Sequence, residues 1–178
     1  VTTPAWTKQT ARLSLRTVAV GDEKEMLEYY SDPEVCRYLL HGPWTADDAR
    51  KNVEIRSGRT NLDDGDLNAV VLLDGRIIGN LSAHFVNETN HTVELGWTFS
   101  PRFHGYGYAT EAATAFIETV FELPRVHRAI AQMDARNDSS ARLAERLGMR
   151  REGHFLQDWW NKDAWSDTFL YALLRDER

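Results

Sequence analysis

The chain carries one cysteine, Cys36, in 178 residues. An internal disulfide is therefore excluded, and a lone thiol with no activating neighbour reads as a small buried hydrophobe. No apolar run approaches the ~20 residues that a membrane-spanning helix needs. The first stretch, VTTPAWTKQTARLSLR, has no apolar core of a secretory signal. These absences point to a reducing cytoplasm and to no membrane partner. Basic charge is also scarce: 21 Lys and Arg face 27 Asp and Glu, for a net −6, which argues against a nucleic-acid partner. The six histidines show no metal-ligand spacing, so no metal site is expected. There is no internal repeat and no low-complexity linker. With 42% hydrophobic residues, the composition suits one domain over 1–178 with a sizeable core.

Periodicity and punctuation then give an order of elements. ARLSLRTV (11–18) alternates and predicts a first strand. Residues 21–40 read as one or two short helices broken near Pro33. Thr45 stands three residues before Asp48 and Gly58 follows the run, which predicts a helix with a capping-box start. NLDDGDLN (61–68) is a turn cluster that only loosely resembles a calcium loop, because no later glutamate falls at the required spacing. Asp74-Gly75 between apolar runs predicts a hairpin. A strand at 91–100, a helix near 107–121, a strand at 126–133, a helix near 138–147 closed by Gly148, and strands near 151–160 and 165–174 complete the chain. That order is mixed α/β, with one crossover helix between strands that could run parallel.

The stretch SPRFHGYGYATEAATAF (100–116) places Gly105 and Gly107 in a basic, aromatic loop directly before a helix. The first turn of a helix leaves N–H groups unpaired and carries partial positive charge. Glycines let an anion approach those groups with no Cβ in the way, and Arg102 and His104 add positive character. Ala109, Ala112, Ala113, Phe116 and Val120 then follow at core spacing. No Walker ending is present, and the third small residue of a dinucleotide fingerprint is missing. On these residues alone, a plain turn at a helix start accounts for the loop as well as an anion site does. In the preceding strand, Val93, Leu95, Trp97 and Phe99 share one face, and Thr92, Glu94, Gly96 and Thr98 share the other.

Arg102-Phe-His-Gly105-Tyr-Gly107 resembles the Arg/Gln-x-x-Gly-x-Gly/Ala motif of the GCN5-related N-acetyltransferase (GNAT) family. GYGYATEAATAF and ARNDSSARLAERLGMRREGHF resemble the two signatures of its ribosomal-protein N-terminal acetyltransferase-like branch, and ARLSLR resembles that branch's first strand. The resemblance implies a single-domain α/β fold with a twisted mixed sheet of six to seven strands and about four helices. It implies acetyl-coenzyme A as co-substrate, its pantetheine arm lying in a gap between strands 91–100 and 126–133. Arg102, Gly105, Gly107, Tyr108 and Ala109 would cradle its phosphates. The backbone of Phe99 would pair with pantetheine, and Asn137 would cap a helix and touch the same arm.

In that reading Glu94 is the candidate base for the acceptor amine, through a water, and Ser140 the candidate acid for the departing thiolate. The tyrosine that many relatives place seven residues after the asparagine is absent, since that position is Ala144. The acceptor would be a primary amine, either a protein N-terminus or a small molecule. LLHGPWT (39–45) would border its entrance. A homodimer would follow if the last strand paired with a second copy. A non-catalytic acyl-coenzyme A sensor is the alternative. Trp44, Trp159, Trp160 and Trp165 could line an acceptor cleft; Trp159-Trp160 point to opposite faces of a strand, and in the plainer reading one of the pair is core. Asp158, Asp163 and Asp167 mark a solvated hairpin beside them.

Overall fold

The computed structural model describes residues 4–86 and 91–178. The chain opens with β1 (Thr7–Gln9) and β2 (Ser14–Thr17), followed by α1 (Glu23–Tyr30) and α2 (Pro33–Cys36). Pro33 takes the first helical position, where a missing N–H leaves nothing unpaired, and the Asp32 side chain accepts from the Glu34 N–H. This is the break expected near Pro33. α3 (Ala46–Ser57) starts on the complete Thr45/Asp48 capping box and stops at Gly58. Next come β3 (Thr60–Asn61), β4 (Asp66–Leu73), β5 (Arg76–Phe85) and β6 (Thr92–Phe99). NLDDGDLN folds as a short 3-10 turn between β3 and β4, with Asn61 accepting from the Asp63 N–H. The chain finishes with α4 (Tyr108–Glu122), β7 (Arg128–Asp134), α5 (Asp138–Arg146), β8 (Arg150–Asn161) and β9 (Ala164–Leu174).

Among the described residues the strands form one mixed sheet in the order β1-β2-β4-β5-β6-β7-β9-β8, with β3 paired to β4. Nine strands exceed the six to seven expected from sequence. The additions are short: β1 has three residues and β3 two, too few to show a period. Among the described residues there are five α-helices, the one beyond the expected four being the four-residue α2. Every strand contact is antiparallel except β6 with β7, which are joined by the crossover helix α4.

Each face of the sheet has its own core. On one side Leu67, Ala69, Leu81, Ala83, Val93 and Leu95 pack with Ala112, Ala113, Phe116 and Val120 of α4 and with Ala141 and Ala144 of α5. On the other side Val70 and Ile77 pack with Met26, Tyr29 and Tyr30 of α1 and with Ala49 and Val53 of α3. Cys36 is buried in this second core, and burial pushes its thiol pKa up. The two faces expected for 92–99 are the observed ones: Val93 and Leu95 are buried, and Trp97 and Phe99 pack on the first core.

Candidate active site

The parallel pair β6/β7 comes apart. Only Thr92↔Arg128, Val93↔Ala129 and Glu94↔Ile130 are paired. Beyond that point β6 stays bound to β5 as far as Phe99↔Gly79, and β7 stays bound to β9 as far as Asp134↔Thr168. A gap therefore opens inside the sheet along the second halves of both strands. Val86 N–H bonds Thr92 O, and Ser100 N–H bonds Ile78 O. The even-numbered residues of β6 thus turn their main-chain groups to β5. By alternation, Trp97 and Phe99 turn theirs into the gap.

A cleft of about 410 Å³ runs through this gap. It is lined on the α4/α5 side by Trp97, Asn137 and Ser140, and on the α1/α3 side by Asn68, Ser82 and His84. Leu39, Leu40 and His41 of the LLHGPWT segment form part of its wall. Trp44 stacks on Tyr30 at 3.9 Å, and both rings carry Arg56. A larger hollow of about 650 Å³ lies near the far end of α4, lined by Trp6, Leu62 and Leu123. It contains none of the candidate residues.

The glycine loop stands at the open end of the gap. Gly105 and Gly107 both have positive φ, 86° and 80°. Nothing lies within 4 Å of a Cβ placed on Gly105. Gly107 is the N-cap of α4 and offers no side-chain cap, and the first helical bond is Glu111 N–H to Gly107 O. The N–H groups of Tyr108, Ala109 and Thr110 precede that bond. Arg102 and His104 are exposed on the loop, with Arg102 3.9 Å from Glu28.

Arg12, which sequence reasoning passed over, also belongs here. Its guanidinium bonds the Tyr106 carbonyl, lies over the Tyr108 ring and pairs with Glu111 at 2.7 Å. Burial alone would raise the Glu111 carboxyl, but hydrogen bonds from Thr10 and Arg12 outweigh it and hold the group below its ordinary value. A first-turn carboxylate is thus neutralised by its own partners.

Glu94 and Ser140 occupy opposite mouths of the gap. Glu94 sits at the last paired position, on the α1/α3 side, accepting from Gln132 at 3.4 Å, with His84 at 3.9 Å. Asn137 caps α5 by accepting from the Ser140 N–H at 3.1 Å, so Ser140 falls at the third helical position as expected. The Ser140 hydroxyl accepts from the Trp97 indole N–H at 3.2 Å. This contact spans the gap from β6 to α5 and leaves no local pattern in the sequence. A Cβ on Gly96 would lie 2.6 Å from the Ser82 oxygen, which explains the glycine within the strand. One expectation is overturned. Neither Trp159 nor Trp160 is core; they are 49% and 56% exposed, because β8 ends the sheet and is exposed along nearly its whole length. The solvated hairpin is as expected, with Asp167 tied to His154 and the Gln157 N–H.

An open gap between parallel strands thus has main-chain groups facing it and a bare helix start at its end. Comparison with known proteins places the chain. Residues 12–150 match the acetyltransferase (GNAT) domain model. The chain is 34% identical to the uncharacterized N-acetyltransferase YnaD of Bacillus subtilis over 168 residues, covering 94% of this chain and 96% of that one. The crystal structure of a GNAT-family acetyltransferase from Bacillus anthracis superposes with a TM-score of 0.86 at 33% identity, covering 96% and 99% of the two chains. RimL, a ribosomal alpha-N-protein acetyltransferase in complex with coenzyme A, shares the fold at a TM-score of 0.84 and 17% identity, over 97% of this chain and 100% of that one. The chain belongs to the GNAT acetyltransferase family. Among its described residues no helix is long and apolar enough to cross a membrane.

Proposed function

We propose that this chain moves an acetyl group from acetyl-coenzyme A to a primary amine by direct attack on the thioester, through the gap between β6 and β7. The parting of the two strands carries the reading, because it gives a slot open to both faces of the sheet. The residues present fit the donor. The Tyr108, Ala109 and Thr110 N–H groups and the open space over Gly105 suit a diphosphate, with Arg102 as an added cation. The main chain of Phe99 suits the amides of the pantetheine arm, and Asn137 lines its path. RimL, which shares this fold, holds coenzyme A. Membership in a family of acetyltransferases does not favour the sensor alternative.

Bound acetyl-coenzyme A would supply an acetyl group already activated as a thioester. The remaining work falls to side chains of this chain. Glu94, at the acceptor mouth, takes the ammonium proton through a water so that the amine is neutral when it attacks. The N–H groups of β6 that face the gap polarise the carbonyl that is attacked. Ser140, at the donor mouth, gives its hydroxyl proton to the departing sulfur and takes in its place the proton that the attacking nitrogen sheds as the amide forms. The Trp97 indole N–H fills one lone pair of the Ser140 oxygen, which leaves the hydroxyl proton free to turn to another acceptor.

Steady-state turnover of Glu94→Gln and Ser140→Ala tests these roles. Each should fall by about 10–10⁴-fold, with the acetyl-coenzyme A melting shift retained. Full turnover in both, with chemistry rate-limiting, would remove the assignment.

A further inference from the structure

The α1/α3 mouth of the gap holds polar groups that the transfer chemistry leaves unused. Strand register sorts them into rows. One row is Asp66–His84–Glu94 across β4, β5 and β6. The next is Asn68–Ser82–Gly96, and the Asn68 N–H bonds the Arg59 carbonyl at 2.8 Å, which extends this row to Arg59. Asn68 is only 5% exposed, and its side-chain amide has no hydrogen-bond partner among the described residues. No fully enclosed side-chain nitrogen or oxygen there lacks a partner, so the free amide opens into the cleft. A buried amide without a partner is costly, and its place on a substrate path points to a ligand atom.

Charge divides the same wall. Arg56 touches the Tyr30 hydroxyl at 3.1 Å and the faces of Tyr30 and Trp44. Neither Arg56 nor Arg59 has a carboxylate partner among the described residues, although both line the cleft. Asp134, the third carboxylate of the wall, is held by Arg136, whose hydrogen bonds outweigh burial and keep it below its ordinary value. The charges without an Arg or Lys or a carboxylate partner are therefore anionic at Asp66 and at Glu94, which has His84 at 3.9 Å, and cationic at Arg56 and Arg59. From Arg59 to Gly96 is three strand spacings, roughly 14 Å. The arginine side chain spans part of that distance.

Resting on the acetyltransferase reading above, we infer that the acceptor is a small amino-carboxylate, with its amine toward Glu94 over Gly96 and Ser82 and its carboxylate held by Arg59, Arg56 and the Asn68 amide. A protein N-terminus has no carboxylate beside its amine. A polyamine would meet two unpaired guanidinium groups.

The test is a rate comparison on the full chain with acetyl-coenzyme A. Linear amino acids from glycine to 6-aminohexanoate are set against their carboxamides and against diamines of equal length. At least one free acid should exceed its carboxamide by about 10–100-fold in kcat/KM, the range of a charge-assisted contact. Arg59→Gln and the near-isosteric Asn68→Asp should each bring the acid-to-carboxamide ratio of kcat/KM toward one, with the acetyl-coenzyme A melting shift retained. Equal or faster turnover of carboxamides, peptides or diamines would overturn the inference and leave the acetyltransferase reading intact. A chain that acetylates no amine and shows no melting shift with acetyl-coenzyme A would overturn both.

Discussion

Helices α3 and α4 begin in opposite ways. At α3, Thr45 and Asp48 satisfy each other's backbone: the Thr45 hydroxyl accepts from the Asp48 N–H at 3.2 Å, and Asp48 accepts from the Thr45 N–H at 2.8 Å. At α4 the cap is a glycine with φ of 80° and no side chain. Both segments are followed by well-packed helices, so neither start is a defect of folding. The difference lies in what is left over. The α3 start keeps its donors for the protein, and the α4 start leaves its donors to something outside it. α5 lies between the two: Asn137 caps it, and the same residue faces the gap.

The sharpest way to break that contrast is to close the bare start. Gly107→Asp would add a capping carboxylate where the diphosphate is placed and would force a side chain into positive φ. Acetyl-coenzyme A affinity should fall more than about 100-fold by calorimetry, from lost donors and like-charge repulsion. An unchanged affinity would remove the loop from the donor site. Next in size is Glu111→Gln, which weakens the grip of α4 on Thr10 and Arg12. It should cost about 1.5–3 kcal/mol in denaturant melts, the worth of hydrogen bonds to a charged group.

At the closed start, Thr45→Ala should cost about 1 kcal/mol of stability and leave the KM for acetyl-coenzyme A untouched. A change in that KM would mean that α3 is coupled to the donor site after all. The smallest effect lies far from both helices. Arg128, with Arg150, holds the Glu152 carboxyl down to about 2. A carboxyl depressed in the folded state contributes stability above its unfolded value, and that stability is lost as pH falls from about 4.5 toward 2. Glu152→Gln should flatten this part of the acid-unfolding curve and lower stability at pH 7 by that same amount, kept small by solvent screening, with little change near pH 2.

The features legible in the sequence were those that a local pattern carries. The Thr45–Asp48 box, the break at Pro33, the Gly105/Gly107 loop and the two faces of 92–99 all rest on spacings of a few residues, and each lies where it was expected. The polar alternation Asn80, Ser82, His84 was equally local, and it announced a polar face on β5, buried at Asn80 and exposed at His84, that a hairpin reading passed over. The parting of β6 from β7 was legible only through family resemblance, because pairing between strands about 36 residues apart leaves no periodic trace. The Trp97–Ser140 contact joins residues 43 apart and depends on that parting. Trp159 and Trp160 misled for a related reason: alternation fixes which face a side chain takes, and only the position of β8 at the sheet edge decides whether anything covers it.

The divided strand β6 has a consequence for proton exchange with solvent. A strand inside a sheet ordinarily protects every main-chain amide. Here Gly96 and Thr98 donate to β5, while Trp97 and Phe99 face the gap. In heavy water the end of β6 should therefore exchange with a period of two, slow and fast amides alternating along one well-ordered strand. Adding acetyl-coenzyme A should slow the fast set alone, turning a half-protected strand into a fully protected one without moving its neighbours.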